Sequence, residues 1–389
     1  MKKDWTYKKL GEVAEIVGGS TPKTSEPANW EGSNMWVTPA ELDGSKYFGK
    51  TQRTISDKAA SKLQLLPIGT VLFSSRAPIG KVAITTAPMY CNQGFKNVIC
   101  GDNLYNEYVY WCLTYNIPLL QSFGVGATFK ELSKSAMSDF SIPIPPLSIQ
   151  RSIVSELDLL HSVIEKKQEQ LRALDNLAQS LFYQMFGDPI TNPMGWEIKK
   201  LGEVCDVKGR IGFRGYTRND FVDSSKDGAI SLSPTNIINN QMDYSKCSYV
   251  TWDKYNESPE IMVKNGDILL VKTGSSYGKC AYVDFLPHEA TINPQFVVIK
   301  EHKIISRYLT AYLQSEAAKI KYNEFVIGTA IPTFSQKSLN SMPILCPPLS
   351  LQQSFAAKVS AIEEQKRFIS QSIKDVESLH AQRMDQYFG

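Results

Sequence analysis

A few short stretches carry residue types that could do chemistry. Asn293-Pro294-Gln295-Phe296 is close to the N-P-P-[FY] motif of amino methyltransferases. Its second proline is missing, and Asn92-Gln93-Gly94-Phe95, which occupies the same place earlier in the chain, has none. No glycine-rich cofactor loop follows a strand upstream, so a turn entering a strand is the better account. Residues 274–279 (GSSYGK) resemble a phosphate loop but have one residue too few between the glycines. They also put Cys280 where Ser or Thr is needed. The partner stretch 76–81 (RAPIGK) is no closer, and both read as turns between two strands. His161, His288, His302 and His380 are scattered and suggest no metal cluster. The seven cysteines are odd in number and form no CxxC pair, which disfavours disulfide or zinc frameworks and fits a reducing compartment. No nucleophile–base pair can be placed. The residues therefore point to a chain that catalyses nothing alone and holds neither metal nor cofactor.

What remains is recognition. The formal net charge is only +3, so binding to an anionic polymer must come from local basic patches. Polar and basic residues on loops supply the candidates. In the first half these are Ser20, Thr21, Lys23, Thr38, Arg53, Ser75, Arg76 and Lys81, with Trp36 expected in the core. In the second they are Arg210, Arg214, Tyr216, Arg218, Ser231, Ser233, Lys272, Thr273 and Lys279. Lys130 and Lys337, near glycine-rich turns, could hold phosphates. Arginine reading guanine, amides reading adenine, and hydroxyl or ammonium groups gripping phosphate would be the physics.

The elements that must position these residues are repeated. Residues 145–187 return as 347–389 without a gap, since 347 − 145 and 389 − 187 both equal 202. Ile153, Leu157, Leu160, Ile164, Leu171, Leu174 and Leu181 recur at steps of three and four or their multiples. Phe355, Val359, Ile362, Ile373 and Val376 answer in the second copy. Such spacing over about five heptads argues for a coiled-coil helix with one narrow apolar seam. Each copy is the economical partner of the other, giving an antiparallel rod of roughly 55–60 Å with pseudo-twofold symmetry. Pro145-Pro146 and Pro347-Pro348 block an earlier start, and Ser148 and Ser350 are suitable N-caps.

The segments before each helix repeat more loosely. Trp5 and YKKLGEV (7–13) return as Trp196 and IKKLGEV (198–204), and residues 69–84 correspond to a stretch starting at Gly266. The offset drifts from 191 to 202, so loops differ while a scaffold holds. Residues 71–74, 81–85, 98–100, 268–272 and 297–299 read as strands, and 108–120 and 306–321 as helical. The expected architecture is α+β. Domains at 1–147 and 188–349 each precede a helical spacer, 148–187 and 350–389, and the chain ends lie close together. With 42% hydrophobic and 11% aromatic residues the domains are core-forming. No apolar run is long enough to span a membrane, so a cytosolic protein is expected.

Two variable globular domains, each followed by a PPLxxQ helix, resemble the specificity subunit of type I restriction–modification systems. The marks are residues 145–150 and 347–352, YQMFGD (183–188), QYFG (386–389), GEV near each domain start and SSRAPIGKVAI (74–84). The second domain departs from the last of these with VKTGSSYGKCAYV. The resemblance implies that each domain is a target-recognition domain reading half of a split, asymmetric sequence in double-stranded DNA. It implies that the helices set the spacing and dock two modification subunits, which methylate adenine at N6, with restriction subunits added in some assemblies. S-adenosylmethionine, ATP and magnesium would belong to those partners. A self-contained DNA methyltransferase and a coiled-coil scaffold without DNA are the competing readings.

Overall fold

The computed structural model describes residues 5–76, 78–126, 130–210, 215–327 and 332–389. The chain divides into two compact units, Met1–Gln168 with Gln371–Gly389, and Glu169–Ser370. Each unit holds one globular α+β domain and parts of two long helices, Leu147–Phe186 and Leu349–Phe388. The start of each helix differs from the expected serine cap. Pro146 and Pro348 carbonyls already accept from the amides three and four residues on, which places Ser148 and Ser350 inside the first turn. The first long helix stops at Gly187, whose φ of +75° is the left-handed closing conformation that glycine adopts without strain.

The seam residues behave as the spacing demands. In the first unit Ile153 and Leu157 are buried in a core shared with Met384, Tyr387 and Phe388, while Leu160 and Ile164 are half-buried and Ile373 is buried. There Glu156 accepts from the Tyr387 hydroxyl and His161 faces His380 at 6.4 Å, so the facing residue falls in number as the first helix rises: the segments run antiparallel. In the second unit Leu171, Leu174, Leu181 and Val359 are half-buried, and Phe355 and Ile362 are buried. Asp175 meets Lys366 while Phe186 meets Phe355, again antiparallel. Val376, half-buried in the first unit, completes the stripe. Phe182 and Phe186, outside the seam residues named above, join Tyr308, Tyr312 and Phe355 in the second core.

The two globular parts share a scaffold. In the first, Ala14–Gly18, Lys96–Cys100, Val71–Phe73 and Val82–Thr85 form an antiparallel sheet to which Tyr47–Phe48 adds a parallel edge. In the second, Asp206–Gly209, Phe296–Lys300, Ile268–Val271 and Cys280–Tyr282 repeat that order. A further sheet lies in each: Arg53–Ile55, Trp30–Val37 and Tyr90–Cys91 in the first, and a five-stranded one centred on Gly228–Leu232 in the second.

The expected helices at 108–120 and 306–321 are each two. Asn106–Tyr115 ends where the Asn116 side chain takes the Cys112 carbonyl, and Ile117–Ser122 restarts around Pro118. Ser306–Gln314 stops at Ser315, which is extended and whose hydroxyl caps the following helix by accepting from the Ala318 amide.

The glutamine of each PPLxxQ motif ties the long helix to its domain. Gln150 is fully buried; it accepts from the Tyr105 amide and donates to the Asn103 and Pro145 carbonyls. Gln352 does the same with the Ile305 amide and the Pro347 carbonyl. Trp5 packs on the first core. Among the described residues no helix is long and apolar enough to cross a membrane.

Candidate nucleic-acid interface

Four loops of the first domain meet in one polar surface. The Ser20 amide donates to the Cys91 carbonyl at 3.0 Å, and the Thr21 hydroxyl bonds Gln93. The Ser75 amide takes the Gly94 carbonyl at 2.8 Å, and the Ser75 carbonyl receives Leu132 N–H at 2.9 Å. Ser20, Thr21 and Arg76 are thereby brought together with three residues outside the expected set, Gln93, Lys96 and Glu131, whereas Ser75, expected to face DNA, is fully buried. Arg76 Nε lies 3.0 Å from one Glu131 oxygen and Lys96 Nζ 3.2 Å from the other. Lys96 also donates to the Ser75 hydroxyl at 3.3 Å. Partial burial raises the Glu131 pKa, but Arg76 and Lys96 outweigh it and hold the carboxyl below its ordinary value.

The other first-domain candidates have local partners. Lys23 pairs with Glu26 at 3.4 Å on an exposed turn. Arg53 stacks over the Trp30 ring at 3.8 Å, and Trp36 is buried as expected. Thr38 caps the turn Pro39–Glu41, its amide and hydroxyl both donating to Glu41. The Lys81 ammonium donates to the Leu42 carbonyl at 2.7 Å. Lys130 is exposed beside Glu131.

In the second domain the same ladder carries different chemistry. The Lys272 amide takes the Gln295 carbonyl at 2.7 Å and its carbonyl receives Phe334 N–H at 2.8 Å, so Lys272 stands where Ser75 stands. Thr273 bridges Thr333 as Arg76 bridges Glu131, and the two threonine hydroxyls lie 2.7 Å apart. Burial alone lowers the Lys272 pKa, and among the described residues no carboxylate pairs with it. Arg210 lies over the Tyr216 ring at 4.0 Å, and the Tyr216 hydroxyl donates to the Ile292 carbonyl. Arg218 and Lys279 are exposed on turns, as is Lys337 on the short helix Gln336–Asn340. Ser231 is placed differently from expectation: at 3% exposure it points into the sheet of Gly228–Leu232. Ser233 caps the turn Pro234–Asn236, just as Thr38 caps its own. Arg214 lies outside the described residues.

The motifs that suggested catalysis are turns. Asn293 accepts from the Gln295 amide at 3.0 Å and Asn92 from the Gly94 amide at 2.9 Å, each folding the backbone into the following strand. Residues 274–279 close the hairpin between Ile268–Val271 and Cys280–Tyr282, with Gly274 and Gly278 both at positive φ. Sequence reasoning passed over Gln93, Lys96, Glu131, Gln295 and Thr333. Aligning the two repeats strand by strand would have found them, because their places beside 75–76 and 272–273 are set by the shared ladder.

Comparison with known proteins is concordant across the chain. The profile of the type I restriction modification DNA specificity domain matches residues 2–174 and again 193–378. The chain is 30% identical over 396 residues to the type I restriction enzyme MjaIX specificity subunit of Methanocaldococcus jannaschii, covering 93% of this chain and 87% of that one. A type I restriction–modification S subunit from M. genitalium superposes with a TM-score of 0.60 at 13% identity, covering 99% of this chain and 96% of that one. A chain from a structural study of complex assembly and conformational transition in the type I R-M system superposes with a TM-score of 0.61 at 18% identity. That match covers 99% of this chain and 97% of the other.

Proposed function

The chain belongs to the type I restriction–modification DNA specificity family, and from that premise we propose that it is the non-catalytic, DNA-reading subunit of a methylating assembly. Each globular domain reads one half of a split duplex site, and the long helices set the spacing between halves. Two modification subunits dock on those helices and methylate adenine at N6 after drawing it out of the stack. S-adenosylmethionine, ATP and magnesium belong to the partners in this reading, as do the restriction subunits that add cleavage. The cytoplasm, where the host DNA lies, is the compartment it requires.

The observation that carries the reading is the repeated ladder. One scaffold presents Arg76 and Glu131 in the first domain and Lys272, Thr273 and Thr333 in the second. Equal scaffolds with unequal donors and acceptors suit two half-sites of different sequence, which makes the target asymmetric.

Co-expression with the modification subunit, followed by mapping of N6-methyladenine across the host DNA, tests this. A split, asymmetric motif methylated only when the chain is present is the expected result. A stable assembly without such a motif would refute DNA reading, and methylation by the chain alone would establish a methyltransferase instead.

A further inference from the structure

Resting on that reading, we propose that Glu131 is a base-reading residue of the first domain, its carboxylate accepting a hydrogen bond from the exocyclic amino group of a cytosine or an adenine in the major groove. A carboxylate is an unexpected presence here. The surface around it carries Arg76, Lys96, Lys130, Thr21 and Gln93, a set suited to phosphates and base acceptors. Facing phosphates, a carboxylate is repelled, so it needs either a structural reason or a donor on the DNA. The second domain shows that the ladder itself is not that reason, since with Thr273 in the place of Arg76 and Val297 in the place of Lys96 it closes without a carboxylate. There the same backbone ladder closes with the hydroxyls of Thr273 and Thr333, and no charge is required at either position.

The remaining role is set by what DNA offers. In the major groove only cytosine N4 and adenine N6 present hydrogen-bond donors, and a carboxylate is the side chain that accepts without donating. Arg76 takes one Glu131 oxygen and Lys96 the other, which leaves lone pairs on both and fixes the plane of the group. The Glu131 side chain is 37% exposed, open enough for a base edge, while Lys96 at 12% is a brace from below. Arg76, 48% exposed and held beside it, is placed to grip the adjacent phosphate or a neighbouring guanine.

The test uses the assembled complex with Glu131→Gln and Glu131→Thr, the latter supplying the side chain that Thr333 has at the same place in the second domain. Motifs are mapped by N6-methyladenine sequencing, and binding is measured on duplexes substituted at each position of the site. Both variants are expected to assemble and to lose discrimination at one base pair of one half-site, roughly tenfold to a hundredfold, with the other half-site read as before. The base pair affected tells cytosine from adenine. Unchanged stringency at every position would overturn the proposal. So would a uniform loss of binding in Glu131→Gln together with a lowered unfolding midpoint, which would mark a loop brace. If the unaltered chain directs no sequence-specific methylation, the functional reading fails first, and the two failures are distinct.

Discussion

Lys366 Nζ lies 2.6 Å from Asp175 Oδ1 and 3.1 Å from Glu363, at a seam position that the first long helix fills with Ile164. The ammonium end is nearly buried, whereas Asp175 is half-exposed. A buried charge in an apolar seam fixes register more than it stabilises. Lys366→Met should therefore be neutral or stabilising, while Asp175→Ala should cost about 1 kcal/mol, discounted for its exposure and for the remaining Glu363. Urea titration of both variants checks this, and a large loss in Lys366→Met would contradict it.

Gln150 joins three backbone groups, the Tyr105 amide and the Asn103 and Pro145 carbonyls. Gln150→Leu keeps the volume but leaves the Tyr105 amide unpaired, and should destabilise the first unit by about 1–3 kcal/mol. Gln352→Leu should act on the second unit by a similar amount. A shift of the denaturation midpoint without a change in helix content is the expected signature.

Trp111 and Ala311 occupy equivalent places, after Tyr108 and Tyr308, whose hydroxyls both bond a carbonyl of the strand leading into the long helix. The Trp111 indole is buried and donates to Asp158 at 2.8 Å, beside the Lys46 ammonium held by Glu107 and Asp158. Beside Ala311 a cavity of about 650 Å³ opens instead, lined by Phe182, Gln241, Tyr282, Arg307 and Val359. Trp111→Ala should cost about 3–5 kcal/mol. Ala311→Trp should fold and gain up to about 1 kcal/mol by filling space. Thermal melts of the two variants decide it.

His380 packs edge-on against Trp111 at 5.3 Å and faces His161, which pairs with Glu165. Burial first, and the His161 charge second, lower the His380 pKa below 6.5. The folded state thus disfavours the imidazolium: stability is full above pH 6.5 and is lost as pH falls through the lowered value. Between pH 7.5 and 5.5 the native chain should lose more stability than His380→Phe. Parallel losses would show that burial of this ring is not felt.

Lys272 is half-buried with no acidic partner among the described residues, in the place that Ser75 holds in the first domain. In the assembled complex Lys272→Met should weaken DNA binding and reduce the slope of log affinity against log salt by about one if the ammonium contacts phosphate. A base contact would instead appear as relaxed specificity in the second half-site with a smaller change in slope. No effect on either would remove Lys272 from the interface.

Much of this architecture was legible in the residues themselves. The gapless offset of 202 and the three-four spacing determined two like helices, because an apolar stripe that narrow must be buried along its whole length. The asparagine turns at 92 and 293 and the turn at 274–279 followed from local backbone chemistry. The capping roles of Thr38 and Ser233 could have been read as well, since T-P-A-E and S-P-T-N place an acceptor three residues on. Tertiary structure alone decided what the sequence left open. The roles of Phe182, Gln150 and Glu131 depend on which strand lies against which, and that register is fixed only when the whole core packs. Arg76 and Glu131 are far apart along the chain, yet they face each other because the loops between them close on one ladder. Helices announce themselves through contacts a turn apart, whereas a binding surface assembled from four loops has no local period to betray it.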